Sequence, residues 1–144
     1  MSAATLEVGA VVAEKTLVLT RDSLVRYAGA SGDFNAIHYR DDIAQSVGLP
    51  GVLAHGMLTM GVAVQPVVDW LASDEAPGAG GWVSDYQVRF TRPVPVDATT
   101  GAELSIVAKL GQLDTEARTA RVDLTVTFDG QTVLGKAQVR VAWA

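Results

Sequence analysis

The 144-residue chain contains no cysteine. That removes disulfides, thiolate nucleophiles and cysteine-ligated zinc or iron–sulfur centres at once. Basic residues are in deficit, 11 against 16 acidic ones, for a net charge of −5. A field of that sign repels nucleic acid and anionic lipid, so neither is expected as a partner. A long apolar run is missing too. The greasiest stretch, Met57 to Val68, is broken by Thr59, Gln65 and Pro66, short of the about 20 apolar residues a span needs. The opening "MSAATLEVGAVVAEKT" lacks the basic segment and apolar core of a secretory leader, so the expected location is cytoplasmic. What remains is 49% hydrophobic and 19% charged, a composition that folds. The length suits a single domain over residues 1–144, which at this size buries about 68–70% of its unfolded surface.

The halves of the chain carry different periodicities. Thr20 is placed to cap a helix through "RDSLVRYAGA", whose Leu24, Tyr27 and Ala28 share a face, with Gly29 just past its last turn. Arg40 to Val47 reads as two helical turns stopped by Gly48. Met57 to Ala72 is apolar on nearly every side and predicts a helix buried on every side, with Gly61 allowing a close approach. Strand alternation then takes over in "SDYQVRF", "ELSIVAKL", "ARVDLTVTF" and "QTVLGKAQVRVAW", the last entered through an Asp129-Gly130 hairpin signal. "EKTLVLT" supplies one more strand near the start. An all-apolar helix and a sheet with one apolar face cover each other most economically when a curled antiparallel sheet wraps the helix. That is an α+β hot-dog fold. Its open sheet edge predicts side-by-side pairing with a second subunit.

Only two histidines occur, and both lie in one 18-residue window, in "GDFNAIHYRDD" and "LAHGMLTMG". Asp33 and His38 stand five residues apart in a segment led by Ser31-Gly32, where glycine permits a sharp turn and Asn35 can brace it. A carboxylate and an imidazole converging on one water make a proton-transfer pair, and a histidine near its ordinary pKa of about 6.5 can take and return a proton. Asp and Asn are also ordinary turn formers. Gly56 opens the apolar helix, so its backbone N–H is left unpaired at the positive helix end, suited to a developing oxyanion. Such a set fits addition of water across a double bond conjugated to a thioester, a reaction that needs no cofactor and no metal.

"SGDFNAIH", led by Tyr27 and closed by Ala44, resembles the signature of the MaoC-like (R)-specific enoyl-thioester hydratases and (3R)-hydroxyacyl-thioester dehydratases. "AHGMLTMG" and "YQVRFTRPVPV" are similar to that family's helix start and following strand. Within the family the resemblance is greatest to the catalytic beta subunits of actinobacterial (3R)-hydroxyacyl-ACP dehydratases of mycolic-acid elongation. It implies a hot-dog hydro-lyase in which Asp33 and His38 activate a water and the Gly56 N–H polarises the thioester carbonyl. Asn35 and Ser31 would support the loop. Two departures stand out: Ala36 replaces a usual proline, and "PVPVDATTGAEL" replaces a tighter turn.

Other residues carry weaker expectations. Met57, Met60, Trp82 and Val88 could line an acyl tunnel, although each is equally a core residue. Arg89 and Arg92 are candidates to meet the phosphates of CoA or of an acyl carrier protein, in preference to Arg118, Arg121, Lys136 and Arg140. His55 is expected to pack at the helix start; a rival reading joins it with Asp33 and His38 as a two-histidine, one-carboxylate metal site. Two further rivals share the fold: a non-catalytic acyl-binding subunit, and a thioesterase using Asp69, the one carboxylate on the apolar helix. The partners that follow are an acyl-CoA or acyl-carrier-protein thioester and a second hot-dog subunit, in a homodimer or a heterodimer.

Overall fold

The computed structural model describes residues 6–144, so the first five residues of the opening stretch lie outside it. Strand β1 (Val11–Leu19) leads into helix α1 (Arg21–Ser31), a 3-10 turn (Ala36–His38), helix α2 (Asp41–Ser46) and helix α3 (Gly56–Leu71). Four strands follow: β2 (Trp82–Phe90), β3 (Ala102–Asp114), β4 (Thr119–Phe128) and β5 (Gln131–Ala142). They form one sheet in the order β1-β3-β4-β5-β2, antiparallel at every pairing. The sheet curls around α3 without closing, which is the hot-dog architecture.

Local chemistry explains the element ends. At the start of α1 the Thr20 hydroxyl accepts from Ser23 N–H at 3.2 Å while the Ser23 hydroxyl accepts from Thr20 N–H at 3.1 Å, a reciprocal capping box. The helix runs through Gly29, where its end was expected, to Ser31. A glycine inside a helix costs only about 0.5–1 kcal/mol, whereas the left-handed stop is made at Gly32, with φ 77° and its N–H bonded to Ala28 O. The β4–β5 hairpin turns through Asp129 and Gly130 at φ 50° and 71°, the paired positive φ values of a type I′ turn.

Alternation sorts the sheet into two faces. Leu104, Ile106, Ala108 and Leu110 of β3, Val122 and Val126 of β4, and Val139 and Val141 of β5 are all buried. They meet Ala63, Val67 and Trp70 on one side of α3. The other side of α3 is left uncovered by the described residues. Met57 is 59% and Val68 41% exposed, and a Cβ built at Gly61 meets nothing within 4 Å. With Val64 these residues recur at helical spacing, so a second apolar stripe faces outward. A single five-stranded sheet covers one side of a helix, which is why the helix expected to be buried all round is buried on one. Among the described residues no helix is long and apolar enough to cross a membrane.

Ile106 sits at the middle of β3 with no exposed surface. Ile106→Ala is expected to lower unfolding stability by about 2–5 kcal/mol, read from the urea midpoint at unchanged slope; a loss under about 1 kcal/mol would contradict this placement of the core.

Candidate active site

The Ser31–His38 segment is a nest of short-range hydrogen bonds. Ser31 Oγ accepts from Asp33 N–H at 3.1 Å. Asp33 Oδ1 accepts from Asn35 N–H at 3.2 Å. Asn35 Oδ1 in turn accepts from Ile37 N–H at 3.3 Å, capping the 3-10 turn that carries His38. Ser31, Asp33 and Asn35 each hold the backbone two residues on, so the loop is shaped by its own sequence. Ala36 occupies the first position of the 3-10 turn, where a proline's missing N–H would cost nothing, and the turn forms with alanine there.

With Oδ1 of Asp33 tied down, Oδ2 lies 3.8 Å from His38 Nε2. That distance exceeds a direct hydrogen bond and lets one water placed beside the pair hydrogen-bond to both atoms. The carboxylate is 49% exposed and the imidazole 11%, so the pair meets solvent from one side. His38 Nδ1 lies 2.7 Å from the carbonyl oxygen of Leu53. A carbonyl only accepts, so Nδ1 must carry the proton, and the neutral ring presents its lone pair on Nε2 toward Asp33.

His55 lies directly behind this pair. Its ring stacks on His38 with centroids 3.9 Å apart and planes 22° from parallel, and Tyr27 meets it edge-on at 4.8 Å. His55 Nε2 donates to Asp33 O at 3.2 Å, and burial pushes its pKa down. Ligand atoms of Asp33, His38 and His55 lie within 4.8 Å of one another, close enough to suggest a metal site. The stacking argues against it. A metal binds imidazole nitrogen in the ring plane, and two nearly parallel stacked planes do not meet at a common nearby point.

The residue after His55 is Gly56, the first of α3, and no side chain caps that end. Its N–H is therefore among the donors a helix start leaves without an intrahelical partner. A Cβ added at Gly56 would stand 3.0 Å from the Phe90 ring, so the missing side chain lets Phe90 approach. Beside it opens a cavity of about 240 Å³, whose walls include Gly56, Thr59, Phe90 and Arg92. Of the candidate substrate residues, Arg92 lines this cavity, whereas Arg89 and Val88 line a separate groove with Lys136. Met57 points outward from α3, Met60 is half-buried and accepts Tyr86 Oη–H at its carbonyl, and Trp82 is exposed at the far end of β2. Thr59 and Phe90 escaped the sequence reading. Phe90 there is one member of an alternating strand, and only the fold sets it against the helix start.

A brace fixes the platform beneath His38. Arg21 donates to both carboxylate oxygens of Asp41, at 2.9 and 3.2 Å, and to Val96 O at 2.6 Å. Asp41 Oδ1 accepts Val52 N–H at 2.9 Å. Segment 52–54 is thus held on one side through Val96 N–H to Val52 O and Ala54 N–H to Val94 O, and on the other through Leu53 N–H to Ile37 O.

The model of the MaoC like domain matches residues 4–127. The chain belongs to this MaoC-like family. It is 39% identical over 87 residues to 3-hydroxyacyl-thioester dehydratase X of Mycobacterium tuberculosis, covering 59% of this chain and 27% of that one. To the (R)-specific enoyl-CoA hydratase of Rhodospirillum rubrum it is 27% identical over 124 residues, 85% and 80% of the two chains. A solved MaoC-like dehydratase superposes with a TM-score of 0.86 at 36% identity, over 97% of this chain and 41% of that one. The chain therefore spans well under half of the M. tuberculosis relative and of that MaoC-like structure.

The brace sets an acid limit. The Val52 N–H, and after it the Arg21 guanidinium, hold the Asp41 carboxyl below its usual range. A depressed folded pKa contributes stability above the unfolded carboxylate range that is lost as pH falls through the folded value. Asp41→Asn is expected to lower Tm at pH 7, with the gap to the native protein narrowing below about pH 4. A gap equally wide at pH 7 and pH 3 would contradict this.

Proposed function

We propose that this MaoC-like chain is an (R)-specific hydro-lyase interconverting trans-2-enoyl and (3R)-3-hydroxyacyl thioesters. The observation that carries the reading is the 3.8 Å gap between a lone-pair-bearing His38 Nε2 and Asp33 Oδ2. In hydration, water sits beside the two atoms within reach of both, oriented by Asp33. His38 Nε2 takes its proton as the oxygen bonds to C3. The double-bond electrons move toward C2 and the thioester oxygen, where the Gly56 N–H meets the growing negative charge. The proton then passes to C2, which restores the neutral imidazole and the thioester carbonyl. Dehydration is the same path reversed, and no step calls for a cofactor.

The acyl group would be carried on CoA or an acyl carrier protein, in fatty-acid or mycolic-acid-type elongation. Arg92, on the wall of the Gly56 cavity, is the better placed of the two arginines to meet a carrier phosphate. The outward stripe of α3 and the open edge β2, with Trp82 and Phe90 exposed on it, suit a second hot-dog unit, either another copy or a related chain. The setting proposed is the cytoplasm. A thioesterase using Asp69 fits less well. That residue lies 13 positions beyond Gly56 on one helix, about 20 Å away at 1.5 Å per residue, and it bonds Gln65 instead.

The test is hydration of a short trans-2-enoyl-CoA, followed by loss of the conjugated thioester absorbance. Asp33→Asn and His38→Ala are each expected to lose about 10²–10⁴-fold in kcat, and a chelator is expected to change nothing. Full activity in both variants would refute the assignment. Thioester cleavage with the double bond intact would favour the thioesterase.

A further inference from the structure

His55 has contacts that packing at a helix start does not require. It is 1% exposed, and its two ring nitrogens have opposite fates. Nε2 donates to the backbone carbonyl of Asp33. Nδ1 is buried with no hydrogen-bond partner among the described residues. An unpaired buried acceptor is unfavourable, and an apolar ring of similar size would remove it. Retaining imidazole here makes sense only if its other features are used. Two of them are: the N–H edge on Asp33 and the ring face on His38.

We infer that His55 is the positioning residue of the Asp33–His38 pair, gripping the backbone of one member through its Nε2–H and fixing the ring plane of the other by stacking. The inference rests on the hydro-lyase reading for its effect on rate, but the geometry stands apart from it. His38 is pinned at one point, through Nδ1 to Leu53 O. A single hydrogen bond leaves the ring free to swing about it, and Nε2 is the atom that would move. Stacking on His55 removes that swing. Asp33 is likewise tied through Ser31 and Asn35 to its own loop, and only the His55 contact among these ties the loop to the start of α3. Tyr27, T-shaped against the His55 ring, completes the clamp from α1. Burial opposes a charge on His55 and lowers its pKa, which disfavours two like charges on the stacked rings.

The test separates the two grips. His55→Phe keeps an aromatic face and loses the donor; His55→Gln keeps a donor and loses the aromatic face. Each is expected to lose on the order of 10–100-fold in kcat for enoyl-CoA hydration, with KM within about threefold of the native value, since substrate contacts are untouched. Native kcat in either variant, or a loss confined to KM, would overturn the inference. A second readout needs no turnover: the His38 Cε1 proton resonance. Ring-current shielding from the stacked ring is expected in the native protein and His55→Phe and lost in His55→Gln; the same shift in all three overturns the stacking claim. If the native protein hydrates no enoyl thioester, the hydro-lyase reading fails, while this resonance still decides whether His55 positions His38.

Discussion

The hydrogen bond from His38 Nδ1 to Leu53 O, at 2.7 Å, is the contact on which the site depends. Because a backbone carbonyl cannot donate, this bond assigns the proton to Nδ1 and the lone pair to Nε2. Rotate the ring, or withdraw Leu53, and the lone pair no longer faces Asp33. Much of the surrounding structure holds that carbonyl still. Segment 52–54 is paired with 94–96 and with Ile37. The Arg21–Asp41 pair secures it from outside, and Asp41 reaches Val52 N–H because Gly51 has no side chain in the way: a Cβ there would meet Asp41 Oδ1 at 3.0 Å.

The hot-dog fold gives these parts a common origin. The sheet buries one side of α3 and so fixes its first turn. That turn carries His55 and Gly56, one facing the histidine–carboxylate pair and the other a cavity wall. The loop after α1 then has only to reach the same place, and its internal Ser31, Asp33 and Asn35 hydrogen bonds set its shape before it arrives. The proposed acid–base groups come from a short loop and the proposed carbonyl-polarising donor from a helix end. The outward stripe of α3 is an apolar helix face left in water, and such a face is a standing association surface.

Much of this was legible in the sequence, for identifiable reasons. Period-two alternation located four strands, and Asp129-Gly130 marked the hairpin, because these signals are local. "SGDFNAIH" pointed to the Asp33–His38 pair for the same reason: five residues cannot stray far. The contacts that escaped are between residues distant in sequence. The stacking of His55 on His38 spans 17 positions, the Arg21–Asp41 brace 20, and the Phe90 ring meets Gly56 across 34. Nothing in the spacing of either partner announces them. The exposed side of α3 escaped for another reason. An all-round apolar pattern says that every face will be covered but not by which chain.

The most direct measurement is the tautomer of His38 in the resting protein, from long-range nitrogen–proton correlations on isotope-labelled histidine near neutral pH. A protonated Nδ1 and a bare Nε2 are expected, as the bond to Leu53 O dictates. A ring protonated on Nε2 with Nδ1 bare would contradict this assignment, since no base would then face Asp33.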